Sequence, residues 1–272
     1  MSVLATFFSL DFVQRALLVG SLISLCAALL GVPLVLKRYS MIGDGLSHVG
    51  FAALAVAAAL NATDAALYIS IPVVVLAAFL LLRINESSRI KGDAAIGVIA
   101  TLALAVGYIV MYRAGTNIDI SNYMFGNIFT IRTADAWLSI GIAAALLLCF
   151  ILFYRRLFAV TFDETFSRAI GIRTGLCKTL IAILTAVTVV LGMRMMGTLL
   201  ISALIIFPTL TAMRVCNSFR SVVFTAAAVA VGCFLVGTVA AHLLNFPAGS
   251  TVVVANGIAF VVCSAVGVFR KV

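Results

Sequence analysis

Val35-Leu36-Lys37-Arg38-Tyr39-Ser40-Met41-Ile42-Gly43-Asp44-Gly45-Leu46-Ser47-His48-Val49-Gly50 sets one carboxylate and one imidazole four residues apart inside an otherwise apolar sequence. On a helix that spacing puts Asp44 and His48 on one face, a turn apart. An ionisable pair held within a membrane is costly and marks a substrate or ion pathway. Carboxylate plus imidazole also suits a divalent first-row metal. The bland alternative is that Asp44 caps a helix and His48 is a hydrogen-bonded core histidine.

The surrounding composition decides which setting applies. Of 272 residues, 64% are hydrophobic and 10% charged, and the mean hydropathy is +1.27. A soluble domain carries roughly 25% charged residues, so this chain is expected to be an all-α, polytopic membrane bundle. Its net charge of +9 is read by location and not as nucleic-acid binding, because no basic surface interleaved with aromatics is present. Met1 to Asp11 offers no basic n-region, so no removable signal peptide is expected. The six cysteines lie scattered in apolar segments without CxxC spacing and read as packing thiols.

A bilayer core about 30 Å thick takes about 20 apolar residues per helix. The pattern gives spans over 13–36, 65–82, 94–112, 136–154, 221–244 and 251–269, with a short one over 45–60. The apolar run over 176–212 is too long for one span and divides at Arg194-Met195-Met196-Gly197. About nine spans result, or eight if one is re-entrant. Alternating them puts Lys37/Arg38, Arg83/Arg89/Lys91, Arg155/Arg156/Arg168/Arg173/Lys178, Arg214/Arg220 and Arg270/Lys271 on one side. Arg113, Arg132 and Arg194 fall on the other. The positive-inside bias then makes the first side cytoplasmic, with the N-terminus outside and the C-terminus inside.

The most polar stretch, residues 155–175, contains Phe162-Asp163-Glu164-Thr165-Phe166-Ser167-Arg168-Ala169-Ile170-Gly171-Ile172. Asp163 and Glu164 suit the start of a short helix and Gly171 its end. Such an element between two spans fits a docking site for a cytosolic partner.

Five segments in order carry a family resemblance over nearly the whole length. They are Leu34–His48, Asp93-Ala94-Ala95-Ile96-Gly97-Val98, Tyr123-Met124-Phe125-Gly126-Asn127-Ile128, the Asp163–Ile172 run, and Gly197-Thr198-Leu199-Leu200-Ile201-Ser202-Ala203-Leu204 through Pro208 and Ala212. Together the chain resembles the ABC-3 family, the membrane permease subunits of bacterial zinc, manganese or iron ABC importers.

The resemblance implies a single permease domain over 1–272, multi-pass in the bacterial plasma (inner) membrane, that catalyses no reaction itself. It implies a homodimer with one translocation path at its interface, working by alternating access. Asp44 and His48 would be the metal ligands, and Ser47, Met196, Gly197 and Pro208 would line the path or gate. Asp163, Glu164, Arg168, Ala169 and Gly171 would form the coupling helix. The implied partners are a cytosolic ATPase that binds ATP, an extracytoplasmic metal-binding protein and membrane lipid. Divalent metal, Zn2+ or Mn2+ with Fe2+ a third candidate, would be the substrate, with no permanently bound cofactor. No Walker A sequence occurs in the chain.

Some positions depart from the family pattern. Thr165 and Ser167 replace a usual acid and alanine in the coupling helix. Asn245 stands where an aspartate is usual, which weakens any role for Asn245 and the nearby His242 in relaying metal on the outer side. Two other classes compete with this reading. A permease for a siderophore or cobalamin would want a wide path and no buried Asp/His pair. A proton-coupled secondary carrier would need no docking helix.

Overall fold

The computed structural model describes residues 8–62, 66–87, 93–115, 124–126, 128 and 133–269, and all regular structure among them is helical. The helices are α1 (Asp11–Leu36), α2 (Ile42–Ala59), α3 (Ala66–Ser87), α4 (Asp93–Ala114), α5 (Thr133–Phe162), α6 (Glu164–Ala169), α7 (Thr174–Met196), α8 (Thr198–Val215), α9 (Phe219–Leu244) and α10 (Ala248–Phe269). Eight of them are long and apolar enough to cross a membrane among the described residues. The ninth expected span is helical as α3, with its apolar part over Tyr68–Leu81. Arg89, Lys91, Arg132, Arg270 and Lys271, and Tyr123 and Asn127 of the outer motif, lie outside the described residues.

α1 is the hub. It packs against α5, α7, α8 and α9, while α2 packs against α3, α4, α7 and α8. α1, α2 and α7 are mostly buried, whereas α4, α5 and α10 present most of their surface outward. Close approach comes from small residues, as membrane bundles require. At Gly31 an added Cβ would lie 2.1 Å from the Ile205 carbonyl oxygen, so α1 and α8 touch backbone to backbone there. Some hydroxyls buried in the bundle turn back on their own helices, while those of Ser24, Ser139 and Thr211 have no partner among the described residues. Thr185, Thr188 and Thr238 donate to the carbonyls of Ile181, Leu184 and Phe234 at 2.7–2.8 Å. That satisfies them where water is absent.

Three junctions fix the path of the chain. After α1, Arg38 adopts a left-handed φ of 61° and the Tyr39 amide donates to the Leu34 carbonyl at 2.9 Å. This reverses the chain within residues 37–41, the tight turn that the Asp44–His48 segment needs. Between α7 and α8 the expected break falls at Gly197, whose φ is 87°. An added Cβ there would meet the Gly126 amide nitrogen at 2.5 Å, because residues 124–126 are pressed into the break. Gly249 at the start of α10 closes on the same segment, against the Phe125 carbonyl oxygen. The third junction differs from the sequence expectation. α5 does not stop near Tyr154 but continues through Arg155 and Arg156 to Phe162. Its 30 residues span about 45 Å, longer than a hydrocarbon core, so its end projects. Tyr154, Phe158 and Phe162 each stack on Phe219 of α9 with ring centroids 5.0–5.8 Å apart, which rewards the extra turns.

Ion pairs mark the two ends. Glu164 joins Lys37 and Lys178 at one end, at 3.9 and 2.7 Å. Arg194 meets Asp135 at 3.3 Å, and Arg15 reaches Thr133, at the other.

Candidate functional site

α2 carries Asp44 in its first turn, but Asp44 is not its cap. The N-cap is Met41 and makes no side-chain capping bond. Gly43 and Gly45 flank the acid on either side. A Cβ on Gly43 would sit 2.7 Å from Ile205 Cδ1, and one on Gly45 would sit 2.5 Å from Ile96 Cγ2. The Gly-Asp-Gly sequence therefore lets α2 lie close to Ile205 of α8 and Ile96 of α4 at once. That approach brings Ser202 of α8 to the carboxylate, its hydroxyl donating to Asp44 Oδ1 at 3.5 Å.

His48 Nε2 lies 3.6 Å from Asp44 Oδ2. The separation is longer than a good hydrogen bond. The side chains are 21% and 40% exposed, so both groups remain reachable. His48 Nδ1, in contrast, is buried with no hydrogen-bond partner. His48 also lines a cavity of about 530 Å³ with Phe51, Thr101, Leu104, Tyr108 and Met124. Apart from the imidazole and two hydroxyls its wall is apolar, so an entering cation meets few competing groups. Among the described residues no cluster of three or more His, Cys, Asp and Glu forms, so one chain offers two ionisable donors.

The other expected site residues divide. Ser47 is buried and its hydroxyl donates to the Asp44 carbonyl at 2.7 Å, holding the turn that presents the acid. Met196 and Pro208 are fully buried in helix packing, and neither they nor Gly197 line the His48 cavity. His242 and Asn245 sit at the end of α9, which packs on α1, α8 and α10 and not on α2. Asn245 takes the left-handed conformation that ends α9, with φ 54°. Asparagine tolerates that conformation well. Ser202 was missed as a site residue. Its signal is a serine in an apolar helix, five residues after the break.

Against the turn that leads into α2, where Lys37 meets Glu164, lies α6. The Asp163 carboxylate accepts the Phe166 amide at 2.8 Å as an N-cap, and Gly171 follows the helix at φ 84°. Glu164 is gripped by Lys178, Arg168 and Lys37. Burial works to raise its pKa, but the Lys178 hydrogen bond and charge, with help from Arg168 and Lys37, hold it below the usual carboxylate range. Arg168 also donates to Thr174 Oγ1 at 3.0 Å, tying α6 to the start of α7. Ser167 faces inward and donates to the Asp163 carbonyl at 2.7 Å, so this departure from the family pattern leaves the outer face unchanged. That face presents Thr165, Phe166, Ala169, Ile170 and Gly171. Phe166 and Ile170 are 59% and 56% exposed, an apolar surface projecting from the bundle end.

A multi-helix bundle with an acid–imidazole pair whose imidazole lines an apolar cavity, and with a braced helix projecting from one end, is the layout of a membrane transport subunit. The chain belongs to the ABC 3 transport family, whose pattern matches residues 9–267. It is similar to the manganese import system permease protein ScaB of Streptococcus gordonii, 30% identical over 252 residues covering 92% of this chain and 90% of that protein. It is also similar to the manganese transport system membrane protein MntC of Halalkalibacterium halodurans, 28% identical over 247 residues covering 90% and 84%. Among solved structures, PsaBC from Streptococcus pneumoniae in complex with Fab superposes with a TM-score of 0.84 at 28% identity, covering 96% of this chain and 95% of that one. The chain is thus a multi-pass permease subunit and not an enzyme, and ATP hydrolysis belongs to a separate subunit.

Proposed function

We propose that this permease serves an ATP-driven importer of a divalent metal ion, with Mn2+ as the cargo, and that Asp44 and His48 are the groups that receive it. The observation that carries this reading is the 3.6 Å Asp44–His48 pair, with Ser202 beside the carboxylate and the imidazole lining a cavity. Carboxylate, imidazole and hydroxyl oxygen form a donor set that Mn2+ accepts, with water completing the shell. The manganese systems named for the relatives favour this ion over Zn2+ or Fe2+. Two chains related by a two-fold axis would bring two such pairs to one path, which answers why a single chain offers only two ionisable donors.

The α6 end would face the cytoplasm, with the N-terminus outside. Phe166 and Ile170 would seat in an ATPase whose motion rocks the two permeases between access states. An extracytoplasmic protein would deliver the ion to the end carrying Arg194 and Asp135.

The test is radiolabelled Mn2+ uptake into proteoliposomes holding this permease with its ATPase. The proposal expects uptake that requires ATP and that unlabelled Mn2+ suppresses at lower concentration than Zn2+ does. Mn2+ uptake by the permease alone, driven by a proton gradient, would replace this reading with a secondary carrier.

A further inference from the structure

Arg156 and Arg173, two arginines beside α6 that form no ion pair among the described residues, share a second cavity. It encloses about 550 Å³ between α5, α7 and the chain that follows α6. Its polar lining includes Arg156 and Arg173, and its walls include Phe153, Ile172, Leu176 and Leu180. No carboxylate lines it. Arg156 stacks on the Phe153 ring at 5.7 Å, and neither arginine forms an ion pair among the described residues. Of the two acids nearest in sequence to its walls, Asp163 caps α6 through the Phe166 amide and Glu164 is already shared among Lys37, Arg168 and Lys178.

From the cavity an exposed stripe descends along α7. Leu176, Leu180 and Ile183 recur at the spacing of one helix face, and Leu176 and Ile183 are 62% and 40% exposed. Leu152 of α5, next in sequence to the cavity residue Phe153, is 69% exposed. Two guanidinium groups therefore stand at the mouth of a hydrocarbon track that runs into the membrane-spanning part of α7.

We infer that this cavity binds an anionic phospholipid, its phosphate between Arg156 and Arg173 and an acyl chain along Leu176, Leu180 and Ile183. Guanidinium groups match phosphate with paired, charge-assisted hydrogen bonds. Basic pockets between helices at the bilayer surface take anionic headgroups for the same reason. A cytosolic protein could reach the arginines but not the stripe. A second copy of the chain would be expected at α2 and α4, where His48's cavity opens, and not at α5 and α7. Because Ile170, Gly171 and Ile172 roof the pocket, the bound lipid would brace the return from α6 into α7. The leaflet assignment rests on the orientation proposed above; the binding itself does not.

The experiment is native mass spectrometry of the detergent-solubilised permease–ATPase complex titrated with phosphatidylglycerol, phosphatidylcholine or soluble glycerol phosphate. The expected result is retained phosphatidylglycerol, little phosphatidylcholine and no glycerol phosphate. In the Arg156→Gln/Arg173→Gln double variant, phosphatidylglycerol retention falls by a factor of roughly 30, the loss due to two surface guanidinium groups. Arg156→Lys/Arg173→Lys, which keeps the charge, retains part of it, and Arg220→Gln, at the same end but outside the cavity, retains all of it. Equal retention in the double variant and the wild type overturns the proposal. So does equal binding of phosphatidylcholine, or binding of glycerol phosphate alone. The readout is lipid mass and not transport, so failure of the metal assignment leaves this result standing and the reverse also holds.

Discussion

The carboxylates of Asp44 and Glu164 are built to opposite ends. Glu164 is saturated: three cations surround it, a capped helix carries it, and Arg168 ties that helix to α7. Asp44 is left wanting. Its partners are an imidazole nitrogen at 3.6 Å and a serine hydroxyl at 3.5 Å, and the other ring nitrogen of His48 is buried and unpartnered. A buried polar atom without a partner costs about 1–3 kcal/mol. Folding tolerates that cost at α2 and avoids it at α6. The difference separates a place prepared for an ion that comes and goes from a place prepared to transmit force.

The contrast is sharpest under substitution. His48→Gln keeps polarity and size near the cavity but is a much poorer metal ligand. Mn2+ uptake by the complex should fall roughly 100-fold or more, beyond what loss of a supporting group does. The thermal midpoint should barely move. Glu164→Gln should do the reverse. Losing the charge shared by three cations costs about 1–2 kcal/mol after allowance for partial exposure. The thermal midpoint should drop by roughly 2–6 °C, and ATPase association should weaken while Mn2+ still binds. If Glu164→Gln abolishes Mn2+ binding and His48→Gln spares uptake, the roles assigned to the two regions are exchanged.

Acid melting gives a finer cut. The Glu164 carboxyl is held below its ordinary pKa, so the stability it contributes is fully present above the ordinary glutamate range. It is lost as pH falls through the depressed folded value. Thermal midpoints of wild type and Glu164→Gln should therefore differ at neutral pH and converge on acidification through about pH 4. A constant gap down to the acid limit would mean that Glu164 acts by shape and not by charge. The smallest effect concerns the cap. Asp163→Asn should change stability by only a few tenths of a kcal/mol, whereas Asp163→Ala should cost about 1 kcal/mol, read by thermal denaturation.

Much of this was legible in the sequence, and the exceptions have physical causes. The break at Gly197 could be read because a helix cannot run through 37 apolar residues of membrane, and glycine was the residue able to take a φ of 87°. The Asp163 cap and Gly171 stop could be read because local hydrogen bonds and local conformation decide them. The end of α5 could not. Arg155 and Arg156 look like a loop, and only contact with Phe219, some 60 residues away, shows why the helix goes on. Ser202 was hidden for the same reason: its partner lies 158 residues distant on α2. Glycines 43 and 45 were visible as a motif, but the close contacts with Ile205 and Ile96 that explain them were not. His242 and Asn245 lie at the end of α9, a helix that does not pack against α2.

The most direct test of the central claim is Mn2+ binding to the purified permease, followed by the electron paramagnetic resonance of the free ion, in wild type and Asp44→Asn. The variant keeps the shape and the hydrogen bond from Ser202 and removes only the charge. The account predicts saturable binding in the wild type and at least a roughly 100-fold weaker affinity in Asp44→Asn, with the fold and the ATPase complex intact. Wild-type Mn2+ affinity in Asp44→Asn would contradict it.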